Sequence, residues 1–214
     1  MSAIVGLALS TLLLGAAPVP SPRFVPGEAL IKFAPGTEGS AAVARASQVY
    51  PPDLGALAPV VTRVAGKTGI PMKAKQVTGG NWVLLSVDGE KLTARLARRL
   101  RTRDNVARVR VNPDRPKAPV GVSLPKPLVI TYVPGSPESE AAAQGRADPG
   151  DVRFARLVRG LERDLGLPLT GEVTGEAGVL LHIDLKALTP ILVERLKALV
   201  DVDSAQLNYI VSIR

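Results

Sequence analysis

The chain has 214 residues, is 46% hydrophobic and carries a formal net charge of +8, which is enough apolar material for one or two domains with buried cores and excludes a disordered chain. It contains no cysteine, and this excludes disulfides, a thiolate metal site, a cysteine nucleophile and a lipidated cysteine. The charge is uneven: Arg23 to Lys126 hold 18 basic and 7 acidic residues, a balance of +11, whereas Pro127 to Arg214 hold 9 basic and 12 acidic, a balance of −3.

In chain order, Ala3 to Leu14 is an apolar run relieved by Gly6, Ser10 and Thr11, and it ends in the small residues Gly15, Ala16 and Ala17. That pattern is expected of a secretory signal peptide, although no Lys or Arg precedes it. Pro18, Pro20, Pro22 and Pro26 follow as a spacer. A mature chain starting between Ala17 and Arg23 would be secreted or periplasmic, with no membrane span left after cleavage.

Glu28 to Gly36, EALIKFAPG, reads as a strand ending in a Pro-Gly turn, and PLVITYVPG from Pro127 to Gly135 repeats it. Each is followed by a polar segment and then a helix candidate. In the first copy this helix is expected from about Pro59 to Gly66. In the second, Asp151 is placed to cap it, with Val152, Ala155, Leu157, Val158, Leu161 and Leu165 facing inward. GIPM at Gly69 and GLPL at Gly166 end the two helices, and short strands follow at Lys73 to Val77 and Thr170 to Val173.

The block from Val77 to Asn112 then returns without a gap from Val173 to Asn208. Fourteen of its 36 positions are identical, among them Asp88, Leu92, Thr93, Leu96, Arg99, Leu100 and Asn112 with their partners 96 residues later. Val83, Leu85 and Val87 alternate as in a strand, Leu92, Leu96 and Leu100 recur at every fourth residue as in a helix, and VARVRV returns to period two. Each copy therefore reads strand, helix, strand, strand, helix, strand, the plan of a ferredoxin-like α+β fold. The expectation is two tandem βαββαβ domains, each a four-stranded antiparallel sheet with two helices on one face and the other face open. Residues 1–22 are the signal peptide and spacer, 23–114 the first domain, 115–126 a Pro-rich linker and 127–214 the second domain.

No residue pattern points to catalysis. His182 is the single histidine; it lies mid-strand, opposite in phase to Leu181 and Ile183, with Asp184 two residues on, and reads as a strand histidine beside a carboxylate. Clustered metal ligands, phosphate-binding loops and dinucleotide words are absent, so neither cofactor nor metal is expected. The basic helix Lys91 to Arg103 would set Arg95, Arg98, Arg99, Arg101 and Arg103 on a positive surface. An aromatic content of 3% argues against a base-stacking sheet and hence against specific nucleic-acid binding.

FVPGEALIKFAPGT at Phe24 resembles the opening of subtilisin-type propeptides, the peptidase-inhibitor domains that fold on and block subtilisin-like serine proteases. The Leu92, Leu96, Leu100 helix followed by Asn105, Val106 and Val109 is similar to that family's closing helix and last strand. The second copy resembles the family more weakly. The resemblance implies a ferredoxin-like prodomain whose open sheet face packs on two protease helices, with acidic residues near the last strand capping them and the following segment entering the active-site cleft. At the matching positions stand Arg110, Asn112, Gln206 and Asn208, none of them acidic.

The resemblance thus implies a secreted, non-enzymatic inhibitor or folding chaperone of a subtilisin-like serine protease encoded elsewhere. Its protease-binding segment would be Asn208, Tyr209, Ile210, Val211, Ser212, Ile213 and Arg214, with the linker Asn112 to Lys126 as the second candidate. The alternatives are a non-inhibitory tandem interaction module of the same fold, or the pro-region of a protease gene separated from its catalytic domain.

Overall fold

The computed structural model describes residues 23–112, 125–148, 150–174 and 178–210; the expected signal peptide, most of the linker and Val211 to Arg214 lie outside them. The described residues form an α+β structure with two four-stranded antiparallel sheets and six α-helices. In chain order these are β1 (Phe24–Phe33), α1 (Glu38–Ala46), α2 (Ala58–Thr68), β2 (Met72–Thr78), β3 (Trp82–Val87), α3 (Gly89–Arg101), β4 (Val106–Val111), β5 (Leu128–Tyr132), α4 (Pro137–Ala147), α5 (Val152–Leu165), β6 (Leu169–Thr174), β7 (Gly178–Ile183), α6 (Leu185–Lys197) and β8 (Val202–Tyr209).

Local chemistry sets the helix ends. The Asp88 and Asp184 carboxylates accept from the Lys91 and Ala187 amides and start α3 and α6 in the same way, 96 residues apart. Asp151 accepts from Arg153 N and Phe154 N at the start of α5, as its position suggests. Gly69 and Gly166 close α2 and α5 in the left-handed region, with φ of 73° and 67°, a conformation that glycine adopts without steric cost.

Two expectations about helices need correction. The polar segments after β1 and β5 are themselves helices, α1 and α4, so each sheet is served by three helices instead of two. Their buried faces consist of small residues, Ala42, Val43 and Ala46 in α1 and Ala141, Ala142 and Gly145 in α4, which give little periodic contrast. The available signal is the cap: Thr37 and Ser136 accept from Ser40 N and Ser139 N. In α5 the expected stripe holds in its later turns, where Leu161 and Leu165 are buried and Leu157 and Val158 pack against the core, but not at its start. Val152 is 62% exposed, and the helix is anchored by Phe154, whose ring lies against the backbone of Gly145 on α4, close enough that a Cβ there would clash.

The strand order is β2-β3-β1-β8 in the first sheet and β4-β5-β7-β6 in the second. The fourth strand of each sheet therefore comes from the other copy of the repeat, and the sheets do not follow the contiguous boundaries 23–114 and 127–214. The registers are equivalent: β8 meets β1 as Gln206 opposite Leu30 and Ala205 opposite Ile31, and β4 meets β5 as Arg110 opposite Val129 and Val109 opposite Ile130. The helix before each strand moves with it, since α6 lies against β1 and β8, and α3 against β4. Viewed along the chain, the second sheet and its helices form one continuous segment from α3 to β7, inserted between β3 and α6. The Pro-rich connection joins the neighbouring antiparallel strands β4 and β5, where Asn112 N donates to Pro127 O at 2.8 Å.

The core lies between each sheet and its helices. Ala29, Ile31, Phe33, Val83 and Leu85 fill it in the first sheet, with Leu188, Leu192 and Leu196 brought by α6. Leu128, Ile130, Tyr132, Val179 and Leu181 fill it in the second, with Leu92, Leu96 and Leu100 brought by α3.

Candidate protein-binding face

Two repeated side chains hold each exchanged helix on its adopted sheet. Thr189 on α6 accepts from the Gly27 amide at 2.7 Å in a buried contact and donates to Leu185 O. Its counterpart Thr93 on α3 accepts from Lys126 N at 2.8 Å and donates to Gly89 O. Arg195 donates to Thr68 O at 2.9 Å, and Arg99 donates to Leu165 O at 3.1 Å and Asp164 O at 2.8 Å. These arginines meet the unpaired carbonyls at the C-termini of α2 and α5, where a cation is favoured. Arg95 donates to Gly69 O and Arg195 to Gly166 O, linking the two sheets' helix layers.

The expected arginines of α3 lie at the surface, with Arg95, Arg98, Arg99 and Arg101 exposed, and several also donate to backbone carbonyls: Arg95 to Gly69 O, Arg99 to Leu165 O and Arg101 to Val109 O, while Arg103 pairs with the Asp164 carboxylate at 2.8 Å. Helix ends and strand carbonyls supply acceptors that the helix alone does not reveal. The identity of Thr93 with Thr189 and Arg99 with Arg195 follows from the same contacts being made twice.

Sheet alternation leaves Glu28, Leu30 and Lys32 of β1, Leu84 and Ser86 of β3, and Ser204, Gln206 and Asn208 of β8 on the helix-free face of the first sheet. At its centre Glu28 is only 3% exposed. One carboxylate oxygen accepts from Lys75 Nζ at 2.6 Å and the other from Asn208 Nδ2 at 2.6 Å, so the buried charge is paired and hydrogen-bonded, as burial requires. Leu84 and Ser86 are buried beside it, and the Ser86 hydroxyl has no hydrogen-bond partner. Sequence reasoning placed no function on Glu28. Its carboxylate reaches Asn208 only because β8 joins β1.

The expected protease-binding segment divides in two. Asn208 and Tyr209 end β8, with Tyr209 opposite Phe24, and Ile210 N donates to Arg23 O at 2.8 Å. Tyr209 and Ile210 are about half exposed, at 47% and 52%. Val211, Ser212, Ile213 and Arg214 lie outside the described residues. On the helix-free face of the second sheet stand Arg108 and Arg110 of β4, Val129 and Thr131 of β5, Leu180 and His182 of β7 and Glu172 of β6. The Asp184 carboxylate near His182 is taken up as the α6 cap.

Among the described residues no group of three or more His, Asp or Glu side chains is placed to hold a metal ion, and no helix is long and apolar enough to cross a membrane. No protein-family model, no curated protein and no solved structure matches the chain.

Proposed function

We propose that this is a non-catalytic, exported protein that binds a subtilisin-like serine protease as an inhibitor or folding assistant, with each sheet and its helices forming a ferredoxin-like unit. The observation that carries the reading is the position of β8. It is an edge strand of the first sheet, and the expected protease-binding segment starts on it, with Asn208 and Tyr209 ending the strand and Tyr209 and Ile210 about half exposed.

An extended segment leaving an edge strand can add to a partner's substrate cleft by main-chain pairing, with alternate side chains entering pockets. The competing linker segment is held at both ends by adjacent paired strands, through Asn112 and Pro127, and its prolines remove backbone donors. The first sheet is thus the docking face and the second sheet its support.

The test compares the full chain with one ending at Ile210, against a panel of subtilisin-like proteases. The reading expects loss of inhibition on truncation and a changed protease preference in Arg214→Leu. Equal inhibition constants for full and shortened chains eliminate insertion of the chain end. A specific observation supports an interaction module that does not inhibit: Glu28 is buried and already bound to Lys75 and Asn208, so it is not free to cap a partner's helix, and the exposed carboxylate there is Asp203 of β8, ion-paired with Lys32 at 3.7 Å. A full chain that inhibits no protease in the panel selects that module.

A further inference from the structure

The two copies differ at one pair of equivalent clefts. Between α1, α2 and the end of α6, a cavity of about 110 Å³ is lined by Phe33, Val60, Val64 and four charged residues. Those four pair across it: Arg63 with Glu38 at 2.8 Å, and Lys67 with Asp201 at 2.9 Å. Phe33 fills the floor, with its ring tight against the backbone of Gly39.

The equivalent cleft between α4, α5 and the end of α3 measures about 550 Å³, within the range of small-molecule sites. Counting back from the paired helix ends at Gly69 and Gly166, Arg63 is replaced by Gly160 and Lys67 by Asp164. Glu38 is replaced by Pro137, and Asp201 by Asn105. Both ion pairs that close the first cleft are therefore missing in the second, where Asp164 turns instead to Arg103. A Cβ built on Gly160 meets nothing within 4 Å, so the cleft is open at that wall.

The floor changes as well, from Phe33 to Tyr132. Tyr132 is 1% exposed and its hydroxyl has no hydrogen-bond partner. A buried hydroxyl without a partner is costly and uncommon, and it invites an explanation. Burial raises its pKa well above the ordinary tyrosine value, with the Arg103 charge opposing and Glu138 adding to the effect. The group therefore stays a neutral O–H donor, within the fields of two residues that line the cleft. Pro137, Ala141, Leu157 and Leu161 supply apolar walls. Four arginines against three carboxylates line the cleft, so its balance is positive.

We propose that this cleft binds a small organic anion with an apolar body, one carboxylate oxygen accepting from the Tyr132 hydroxyl while the body lies against Leu157 and Leu161. The copy that holds Phe33 is the closed, non-binding counterpart. The site lies on the helix side of the second sheet, so it stands independently of the protease reading.

The test titrates the full chain calorimetrically with decanoate and phenylbutyrate, and with decanol as the uncharged comparison. Saturable binding of one carboxylate per chain is expected, with decanol at least about tenfold weaker, since a hydrogen bond to a charged group is worth about 10- to 100-fold in affinity. Tyr132→Phe is expected to weaken carboxylate binding about tenfold or more, and Gly160→Arg, which restores the side chain of the closed copy, to abolish it. Gly160 lies inside α5 and faces open space, so Gly160→Arg should unfold at or slightly above the temperature of the unaltered chain, since glycine inside a helix is destabilising. No saturable binding of either carboxylate overturns the proposal, as does binding indifferent to both substitutions. Equal affinity for decanol overturns the anionic assignment.

Discussion

The exchange of β4 and β8 between the copies can be tested by covalent capture. Leu30 and Gln206 are direct register partners on the helix-free face, and facing residues of antiparallel strands have Cα atoms about 4.5–5.5 Å apart, inside the range a disulfide spans. In a chain without native cysteine, Leu30→Cys with Gln206→Cys should oxidise to one intramolecular bridge, seen by mass spectrometry and by faster migration on a non-reducing gel. If each copy instead closed on itself, β1 would face β4, and Leu30→Cys with Arg110→Cys would bridge.

The bridge closes a loop of about 180 residues, for which the chain-entropy relation gives about 5 kcal/mol and engineered bridges usually return about 2–4. Truncating the half-buried Leu30 costs about 1 kcal/mol of this. The oxidised form should exceed the reduced form of the same variant by about 2–4 kcal/mol in urea unfolding, and the unaltered chain by about 1–3 kcal/mol. A bridge from residue 30 to 110, with none from 30 to 206, refutes the exchanged arrangement.

Two further perturbations act on single side chains. Thr189→Val leaves the buried Gly27 amide without its acceptor and should cost about 1–3 kcal/mol in urea unfolding, more than Thr93→Val, whose partner Lys126 is only half-buried. Tyr132 has its folded pKa raised by burial, so the stability tied to its neutral form is complete below the unfolded value near about 10 and is lost as pH rises above it, at up to about 1.4 kcal/mol per pH unit. Tyr132→Phe should therefore lose stability less steeply in that alkaline range, and parallel slopes for the two proteins would count against the assignment.

Much of the secondary structure was legible in the amino-acid order. The Val83, Leu85, Val87 alternation and the Leu92, Leu96, Leu100 spacing mark β3 and α3, and the same letters mark β7 and α6, because apolar periodicity reports which face of an element is buried. Helices α1 and α4 were missed because alanine and glycine faces carry little contrast. Only the first turn of α5 departs from its apolar pattern, because Phe154 takes the buried place there and leaves Val152 and Ala155 exposed.

What sequence could not decide was which sheet each closing strand joins. Ala205 fits against Ile31 as Val109 fits against Ile130, so a repeat that keeps its apolar pattern satisfies the same local contacts whether or not the copies exchange strands. The choice depends on where the chain turns after Asp88 and Asp184 and on contacts between distant segments, such as Thr189 to Gly27 and Asn208 to Glu28. The open cleft at Tyr132 has the same origin. Its substitutions at Gly160, Asp164, Pro137 and Asn105 are scattered over α5, α4 and the turn between α3 and β4 and become one site only when α3 folds over the second sheet. Sequence alone thus determined the elements and their buried faces through local periodicity, and tertiary structure alone decided their partners, because those depend on long-range pairings that a repeat makes degenerate.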